Sequence, residues 1–168
     1  MRTVRRTPLL GWIPGIAIAF AMTLAAQAPS PLSATWKLNV AKSKYNPANL
    51  AVKSNTIKYT IVGDTITAVT DGVDAQGRAT HTAYTAKLDG KDYPFKGTID
   101  GKPNPDQDGV TWKRIDNSTY ETSTKLKGKV LVTSHIVIAP DGKTRTTTQT
   151  GKTAQGQTVN NVVVYEKQ

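Results

Sequence analysis

Short runs of alternating apolar and polar residues dominate the chain after residue 28 and predict β-strands. In the clearest run, residues 55–62, Ile57, Tyr59 and Ile61 alternate with polar side chains. A two-residue period is typical of a strand with one buried face, and no stretch shows a convincing helical period. By this criterion the chain holds about ten strands. They span residues 34–40, 55–62, 65–70, 79–88, 92–98, 109–115, 119–126, 130–138, 144–150 and 158–167.

Glycine beside Asp or Asn marks tight turns between these strands, as in Val62-Gly63-Asp64 and Pro140-Asp141-Gly142-Lys143. Such short connections make consecutive strands antiparallel neighbours. We therefore expect an all-β fold, an antiparallel up-and-down β-barrel of about 8–10 strands. A β-sandwich is the alternative, but its crossing connection has one candidate, residues 101–109, which we interpret as a hairpin loop. Residues 41–52 could hold one helical turn, limited by Pro47.

The N-terminal residues follow the order of a secretion signal, and we predict that residues 1–28 are removed and that 29–168 form one domain. Arg2, Arg5 and Arg6 precede the apolar stretch 9–26, which closes on Ala25-Ala26-Gln27-Ala28. The stretch is short for a stable transmembrane anchor and contains Pro14. Cleavage after residue 25 or 26 and export by the twin-arginine route remain alternatives. The expected location is periplasmic or extracellular.

Composition and charge bear on how the domain is stabilised and on which classes of binding partner it could have. Without cysteine, the domain must be stabilised by burial and strand pairing. The net charge of +10 becomes +7 without the three arginines of the leader. Because lysines are spread along the chain, we interpret them as solubilising and edge-protecting residues. The alternative is attraction to acidic polymers or anionic membrane surfaces. The pattern does not indicate a nucleic-acid partner.

Two strand faces carry threonine where a dry core would be aliphatic. They are Tyr120, Thr122, Thr124 and Leu126 on one strand and Thr144, Thr146 and Thr148 on another. If these faces point inward, the interior is polar and could hold a ligand. The opposite face of the second strand, with Arg145, Thr147 and Gln149, is no more apolar, so the sequence leaves this choice open.

Arg114 is the best lead to a ligand head group. It follows Val110 and Trp112 on one strand face, and a buried arginine beside Trp112 would need an anion or a carboxylate. The alternative is that Lys113 and Ile115 point inward instead. The predicted ligand-binding residues are Arg114, Trp112, Tyr84, Tyr120 and Tyr165.

The remaining polar residues do not form a recognisable catalytic or metal motif. His81 and His135 lack metal-ligand spacing. Ser134 and His135 are neighbours on one strand, so their side chains should point to opposite faces. The two glutamates are Glu121 and Glu166, and most aspartates sit at turns. We therefore predict no catalytic residue, no cofactor and no metal, and a protein that is not an enzyme.

One loop resembles the start of a calcium site, with Asn104, Asp106 and Asp108 at alternate positions. The twelfth position of such a loop requires a bidentate glutamate, and here it is Ile115. We prefer a hairpin loop, with weak calcium binding as the alternative.

The first strand, Ala34-Thr35-Trp36-Lys37-Leu38, resembles the opening of lipocalin-like barrels, although Ala34 stands where that family has glycine. The resemblance implies a structural Trp36 that packs across the closed end of the barrel. The chain is also similar to a group of small exported bacterial proteins of unassigned function. The matching segments are Trp36-Lys37-Leu38-Asn39, Ala41-Lys42-Ser43-Lys44, Asp71-Gly72-Val73-Asp74-Ala75, Tyr84-Thr85-Ala86-Lys87, Asp89-Gly90-Lys91-Asp92-Tyr93-Pro94, Lys113-Arg114-Ile115-Asp116 and Asn161-Val162-Val163-Val164-Tyr165-Glu166-Lys167. This similarity implies export and a barrel-like fold, but no activity.

The sequence thus predicts an exported, non-enzymatic barrel that binds a small, partly apolar ligand. Its partner would be a small hydrophobic or anionic molecule. The alternative is a cell-envelope interaction or inhibitor protein that uses its loops and basic surface to bind an envelope component.

Overall fold

The computed structural model describes residues 29–168, so the predicted signal peptide lies outside the described residues. The described part contains one turn of 3-10 helix, Ala48–Leu50, and twelve strands. The strands are β1 (Thr35–Lys44), β2 (Ser54–Val62), β3 (Thr65–Val73), β4 (Ala79–Lys87), β5 (Asp89–Pro94), β6 (Gly97–Ile99), β7 (Lys102–Pro103), β8 (Gly109–Arg114), β9 (Thr119–Leu126), β10 (Lys129–Ile138), β11 (Thr144–Lys152) and β12 (Thr158–Lys167). Across residues 29–168, no helix is long and apolar enough to cross a membrane.

The strands form one antiparallel sheet in which chain neighbours are mostly sheet neighbours. Its order is β5-β8-β9-β10-β11-β12-β1-β2-β3-β4-β6-β7. The first and last long strands pair directly, with Trp36 opposite Lys167 and Leu38 opposite Tyr165. This meander is the expected up-and-down barrel, and no long crossing connection of a sandwich is present among the described residues.

The sheet closes through residues 89–99, because β5 and β6 are two parts of one continuous segment. β5 pairs with β8, whereas β6 pairs with β4. Between them, Phe95 N donates to Asp108 O at 2.9 Å, and Ala83 N donates to Lys96 O at 3.2 Å. If β5 and β6 are counted together and the two-residue β7 is set aside, ten strands surround the barrel.

Alternation decides which side chains fill the barrel. On β12, Val159, Asn161, Val163 and Tyr165 are buried, whereas the residues between them are exposed or half-buried. The largest fully buried side chains come from six different strands and from the segment before β1. They are Trp36, Trp112, Arg145, Tyr120, Leu32, Ile66, Ile136 and Val110. The core is therefore rich in aromatic side chains and includes one charged residue.

The two ends of the barrel differ in what covers them. The N-terminal end carries residues 29–33 and the turns at 63–64, 88, 115–118 and 139–143. The far end carries the 45–53 loop, which includes the 3-10 turn, and the connections at 74–78, 100–108, 127–128 and 153–157. Leu32 is fully buried, and its carbonyl accepts a 2.9 Å hydrogen bond from Trp36 Nε1. Trp36 thus lies beneath the N-terminal segment.

Candidate functional site

A hairpin turn directs the charged residue of the core inward. Between β10 and β11, Lys143 N donates to Asp141 Oδ1 at 2.9 Å, and Gly142 takes a φ of 67°. This turn pairs Arg145 with Ile138 of β10. On the other side of β11, Arg145 is opposite Tyr165 and Thr147 is opposite Val163. Because Tyr165 and Val163 point into the barrel, Arg145 and Thr147 do so as well, and both are buried.

Aromatic rings surround the Arg145 guanidinium. Its Cζ lies 3.9 Å from the ring centroid of Tyr165, 5.4 Å from that of Tyr59 and 5.7 Å from that of Trp36. Such contacts stabilise a cation, each by about 0.5–2 kcal/mol. The Arg145 residue is only 1% exposed, so water does not solvate the charge.

The Arg145 guanidinium is also short of hydrogen-bond acceptors. Nη1 donates to Thr147 Oγ1 at 2.9 Å, whereas Nε and Nη2 have no partner. None of the ion pairs within residues 29–168 includes Arg145. A buried charge without a partner is costly, so the unpartnered edge of this side chain requires an explanation beyond packing.

The tyrosines around Arg145 do not supply the missing negative charge. Burial raises the pKa of Tyr165 to about 12, although the nearby Arg145 charge opposes the rise. Burial likewise raises the pKa of Tyr59 above its usual value, again opposed by Arg145. Both phenols therefore remain protonated and neutral at neutral pH, so they do not neutralise the arginine charge.

Polar groups continue from Arg145 toward the far end of the barrel. Asn161 Nδ2 donates to Gln149 Oε1 at 3.1 Å, and Asn46 N donates to Asn161 Oδ1 at 3.0 Å. The hydroxyls of Tyr45 and Thr124 are buried without a partner. A cavity of about 290 Å³ lies at this end, lined by Thr124 and by the apolar side chains of Leu50, Val52, Leu131 and Val132, among others.

A second cavity, of about 420 Å³, lies at the N-terminal end. Its lining combines residues of the N-terminal segment with Arg114 and Tyr120. The full set is Pro29, Ser30, Pro31, Ile61, Gly63, Arg114, Asn117 and Tyr120. Arg114 and Tyr120 lie directly opposite each other on β8 and β9, and Arg114 Cζ is 5.8 Å from the Tyr120 ring centroid.

The structure shows which faces of β8, β9 and β11 point into the barrel, a question that the sequence left open. On β8, Val110 and Trp112 are buried and Arg114 is half-buried, whereas Lys113 and Ile115 are exposed. On β9, Thr122 and Thr124 share the inward face with Tyr120. On β11 the threonines at 144, 146 and 148 lie on the outward face, and Arg145, Thr147 and Gln149 form the inward one.

The five predicted ligand-binding residues lie in two connected groups. Arg114 and Tyr120 line the N-terminal cavity. Trp112 Nε1 donates to Tyr84 OH at 3.1 Å deeper in the barrel, and burial raises the pKa of Tyr84. Tyr165 belongs to the Arg145 cluster. Tyr59 joins the two groups, because its ring is 5.5 Å from that of Trp112 and also faces Arg145.

The other sequence candidates have local structural partners. His81 Nδ1 lies 2.7 Å from Asp71 Oδ1 on the surface, and His135 is exposed while Ser134 points inward. In the loop that resembles the start of a calcium site, the side-chain oxygens accept hydrogen bonds from the chain itself. They are Asn104 Oδ1 to Asp106 N, Asp106 Oδ1 to Gln155 Nε2 and Asp108 Oδ2 to Lys127 N. This supports the interpretation of residues 101–109 as a hairpin loop.

Arg145 and Tyr59 are the residues that sequence reasoning missed as site candidates. The inward orientation of Arg145 could have been inferred from the pairing of β11 with β12, but not from the sequence of β11 alone. The turn at 153–157 joins β11 to β12 and sets which residues of these last two strands are opposite, and β12 shows a clear inward set. Counting back from Tyr165 across that turn assigns Arg145 to the interior.

Comparison with solved structures supports the barrel assignment. The chain is similar to the zebrafish ileal bile acid-binding protein in complex with cholic acid, with a TM-score of 0.53 and 14% sequence identity. The superposition covers 83% of this chain and 100% of that one. No protein-family model and no curated protein matches the sequence. At this identity the similarity shows the fold alone, an antiparallel β-barrel.

Proposed function

We propose that the protein is an exported, non-enzymatic binding protein whose barrel holds a small, partly apolar ligand with an anionic group. The observation that carries this proposal is the Arg145 guanidinium, buried and unpaired among aromatic rings. An anionic ligand would supply the hydrogen-bonding partner that the described chain lacks, and so would account for a buried charge that only aromatic rings and Thr147 contact.

The free edge of Arg145 fits an oxyanion. Nε and Nη2 lie along the same edge of the planar guanidinium. Their N–H groups can donate two parallel hydrogen bonds to a carboxylate or a similar group. Thr147 already occupies Nη1 on the other side. The rings of Tyr59, Tyr165 and Trp36 would then pack against the apolar part of the ligand.

We assign the far-end cavity as the entrance. Thr147 and Gln149 follow Arg145 along the inner face of β11 toward that end. The cavity adds apolar walls and the unpartnered Thr124 hydroxyl. The rest of its lining is mostly polar and includes Asp74, Arg78 and Asp106. Apolar walls combined with placed polar groups are typical of small-molecule sites. The bile acid-binding protein to which the fold is similar was crystallised with a ligand of this general kind, cholic acid.

Native mass spectrometry of protein purified from its own host tests the proposal directly. We expect the native mass to exceed the denatured mass by roughly a few hundred daltons, the size that fills such a pocket. The denatured mass also tests export, because removal of residues 1–28 predicts a chain that begins at Pro29. An unprocessed chain would contradict the export part of the proposal without affecting the binding part.

Substitution of Arg145 tests the assigned site. With anilinonaphthalene sulfonate as an amphipathic anionic probe, Arg145→Met should weaken binding by roughly tenfold or more, because two charge-assisted hydrogen bonds are lost. The matched control is Lys143→Met, which removes an exposed positive charge next to the same strand. The unliganded Arg145→Met variant should unfold at the same or a higher temperature, since a buried unpaired charge is removed. Equal native and denatured masses together with unchanged probe affinity would refute the proposal.

A further inference from the structure

Arg114 lies between two cavities at the N-terminal end of the barrel. One is the 420 Å³ cavity that it shares with Tyr120. The other, of about 410 Å³, is lined by Gly63, Asp64, Leu88 and Arg114. Tyr120 is fully buried and packs at 6.5 Å, edge to face, against Trp112. Arg145 and the aromatic rings around its guanidinium do not line either of these two cavities.

The Arg114 guanidinium has free hydrogen-bonding capacity at this place. Its Nε is buried without a partner, and its Nη2 reaches only the Gly63 carbonyl, at 3.4 Å. Such a long contact is a weak hydrogen bond. The ion pairs of residues 29–168 do not include Arg114.

The nearby carboxylates are already engaged. Asp64 lies 3.7 Å from Lys87 Nζ and accepts a hydrogen bond from Thr65 Oγ1. Asp116 Oδ1 accepts from Ser118 N at 2.8 Å and from Ser118 Oγ at 3.1 Å, and these bonds hold the pKa of the Asp116 carboxyl below its usual range. The positive charge of Arg114 is thus left to face the cavity.

The rest of the cavity defines the chemistry of an occupant. Pro29, Pro31 and Ile61 give apolar walls, and the Tyr120 ring adds an aromatic surface beside the guanidinium. The Tyr120 hydroxyl is already bonded to Ser30 Oγ at 2.6 Å. One charged donor against apolar and aromatic walls favours a small molecule with one carboxylate and a compact apolar body, rather than a highly charged anion.

We propose that Arg114 and Tyr120 form a second binding site, for a small apolar monocarboxylate, separate from the ligand site around Arg145. The carboxylate would accept hydrogen bonds from Arg114 Nε and Nη2, which replace the weak contact to Gly63. The apolar body would lie against Pro31, Ile61 and the Tyr120 ring. This site does not depend on the proposed function of the barrel interior.

The test is a titration of the protein with benzoate, followed by amide chemical shifts. We expect shifts at Gly63, Asn117 and Tyr120, at the N-terminal end. Benzamide, which has the same shape without the charge, should bind roughly tenfold more weakly or not at all. Inorganic phosphate should not compete, because it lacks the apolar body.

Variants separate this site from the interior. Arg114→Met should weaken benzoate binding by roughly tenfold, and Arg114→Lys should recover part of it because the charge remains while the fork geometry is lost. Lys113→Met, the exposed neighbour on the same strand, should bind as the unmodified protein does. In the Arg145→Met variant the benzoate shifts at Gly63, Asn117 and Tyr120 should persist, because these residues belong to the Arg114 site. Benzoate shifts confined to the Arg145 surroundings, or equal affinity for benzamide, would overturn the proposal.

Discussion

Two buried or half-buried arginines carry the functional argument at the scale of single residues. The sequence predicted that an inward arginine beside tryptophan would need an anion, and it named Arg114. The structure has two such residues, because Arg145 lies over Trp36 as well. Arg145 escaped prediction because the two faces of β11 are equally polar, so alternation alone could not orient that strand. The cavity around Arg114 involves residues 29–31, whose position relative to β8 is not encoded in any local pattern.

The buried tyrosines give a pH dependence that belongs to this scale. Burial raises the pKa of Tyr165 from the usual 10.0 to about 12 in the folded protein. Because the folded-state pKa is raised, the stabilising contribution is fully present below pH 10 and is lost as pH rises toward 12. The loss through Tyr165 alone amounts to about 3 kcal/mol. Chemical denaturation at a series of pH values measures it.

A Tyr165→Phe variant provides the comparison for this prediction. Its free energy of unfolding should fall less steeply between pH 10 and 12, since phenylalanine has no proton to lose. The other buried tyrosines, Tyr59 and Tyr84, should still contribute to the remaining slope. If both proteins lose stability with the same slope, Tyr165 does not titrate with the raised pKa described above.

At the scale of elements, the sequence predicted most strands because alternation and turn glycines are local signals. The predicted strand at 92–98 is in fact two pieces, β5 and β6, which pair with different neighbours. β1 extends to Lys44 through a shift of register after Asn39, which no local pattern indicated. The helical turn expected within 41–52 is present as Ala48–Leu50. Long-range pairing, rather than propensity, decided the differences.

At Gly151 on β11, the neighbouring strand β10 packs so closely that a side chain would not fit. Gly151 has a φ of 139°, and a Cβ there would meet the Leu131 carbonyl oxygen and lie 2.9 Å from Val132 Cα on β10. Gly151→Ala should therefore lower the free energy of unfolding by about 2 kcal/mol or more. Denaturant unfolding of the purified variant gives this value.

Gly109→Ala is the matched control on β8. A Cβ at Gly109 would lie 3.4 Å from Lys125 Cβ, an ordinary contact, and its backbone is not in the left-handed region. We expect a change of within about 1 kcal/mol, because alanine also reduces the entropy of the unfolded chain. Similar midpoints for the two variants would mean that β10 moves away from Gly151 at little cost.

At the scale of the whole molecule, the sequence predicted that the sheet closes into a barrel but not which residues close it. The regular meander predicted neighbouring strands, and the pairing of β1 with β12 completes the ring on one side. On the other side the ring is completed by residues 89–99, where the pairing changes from β8 to β4. We call residues 89–99 the seam. The strand pairing there is weaker than elsewhere in the barrel, because β6 has three residues, β7 has two, and the β5–β8 register shifts between Asp89 and Asp92.

The seam should be visible in amide hydrogen exchange. β12 is paired along its length with β11 and, on its other side, with β1, so its amides should exchange slowest, near the global unfolding limit. Amides of residues 89–103 should exchange first, after correction for intrinsic rates, because few of their hydrogen bonds must break for local opening. Arg114 and Tyr120 lie beside this seam on β8 and β9, whereas Arg145 lies across the barrel on β11. Benzoate should then slow the exchange of amides at the N-terminal end near the seam without slowing the exchange of β11 amides. Equal exchange rates over all ten strands would contradict a weak seam and show that barrel closure is equally stable everywhere.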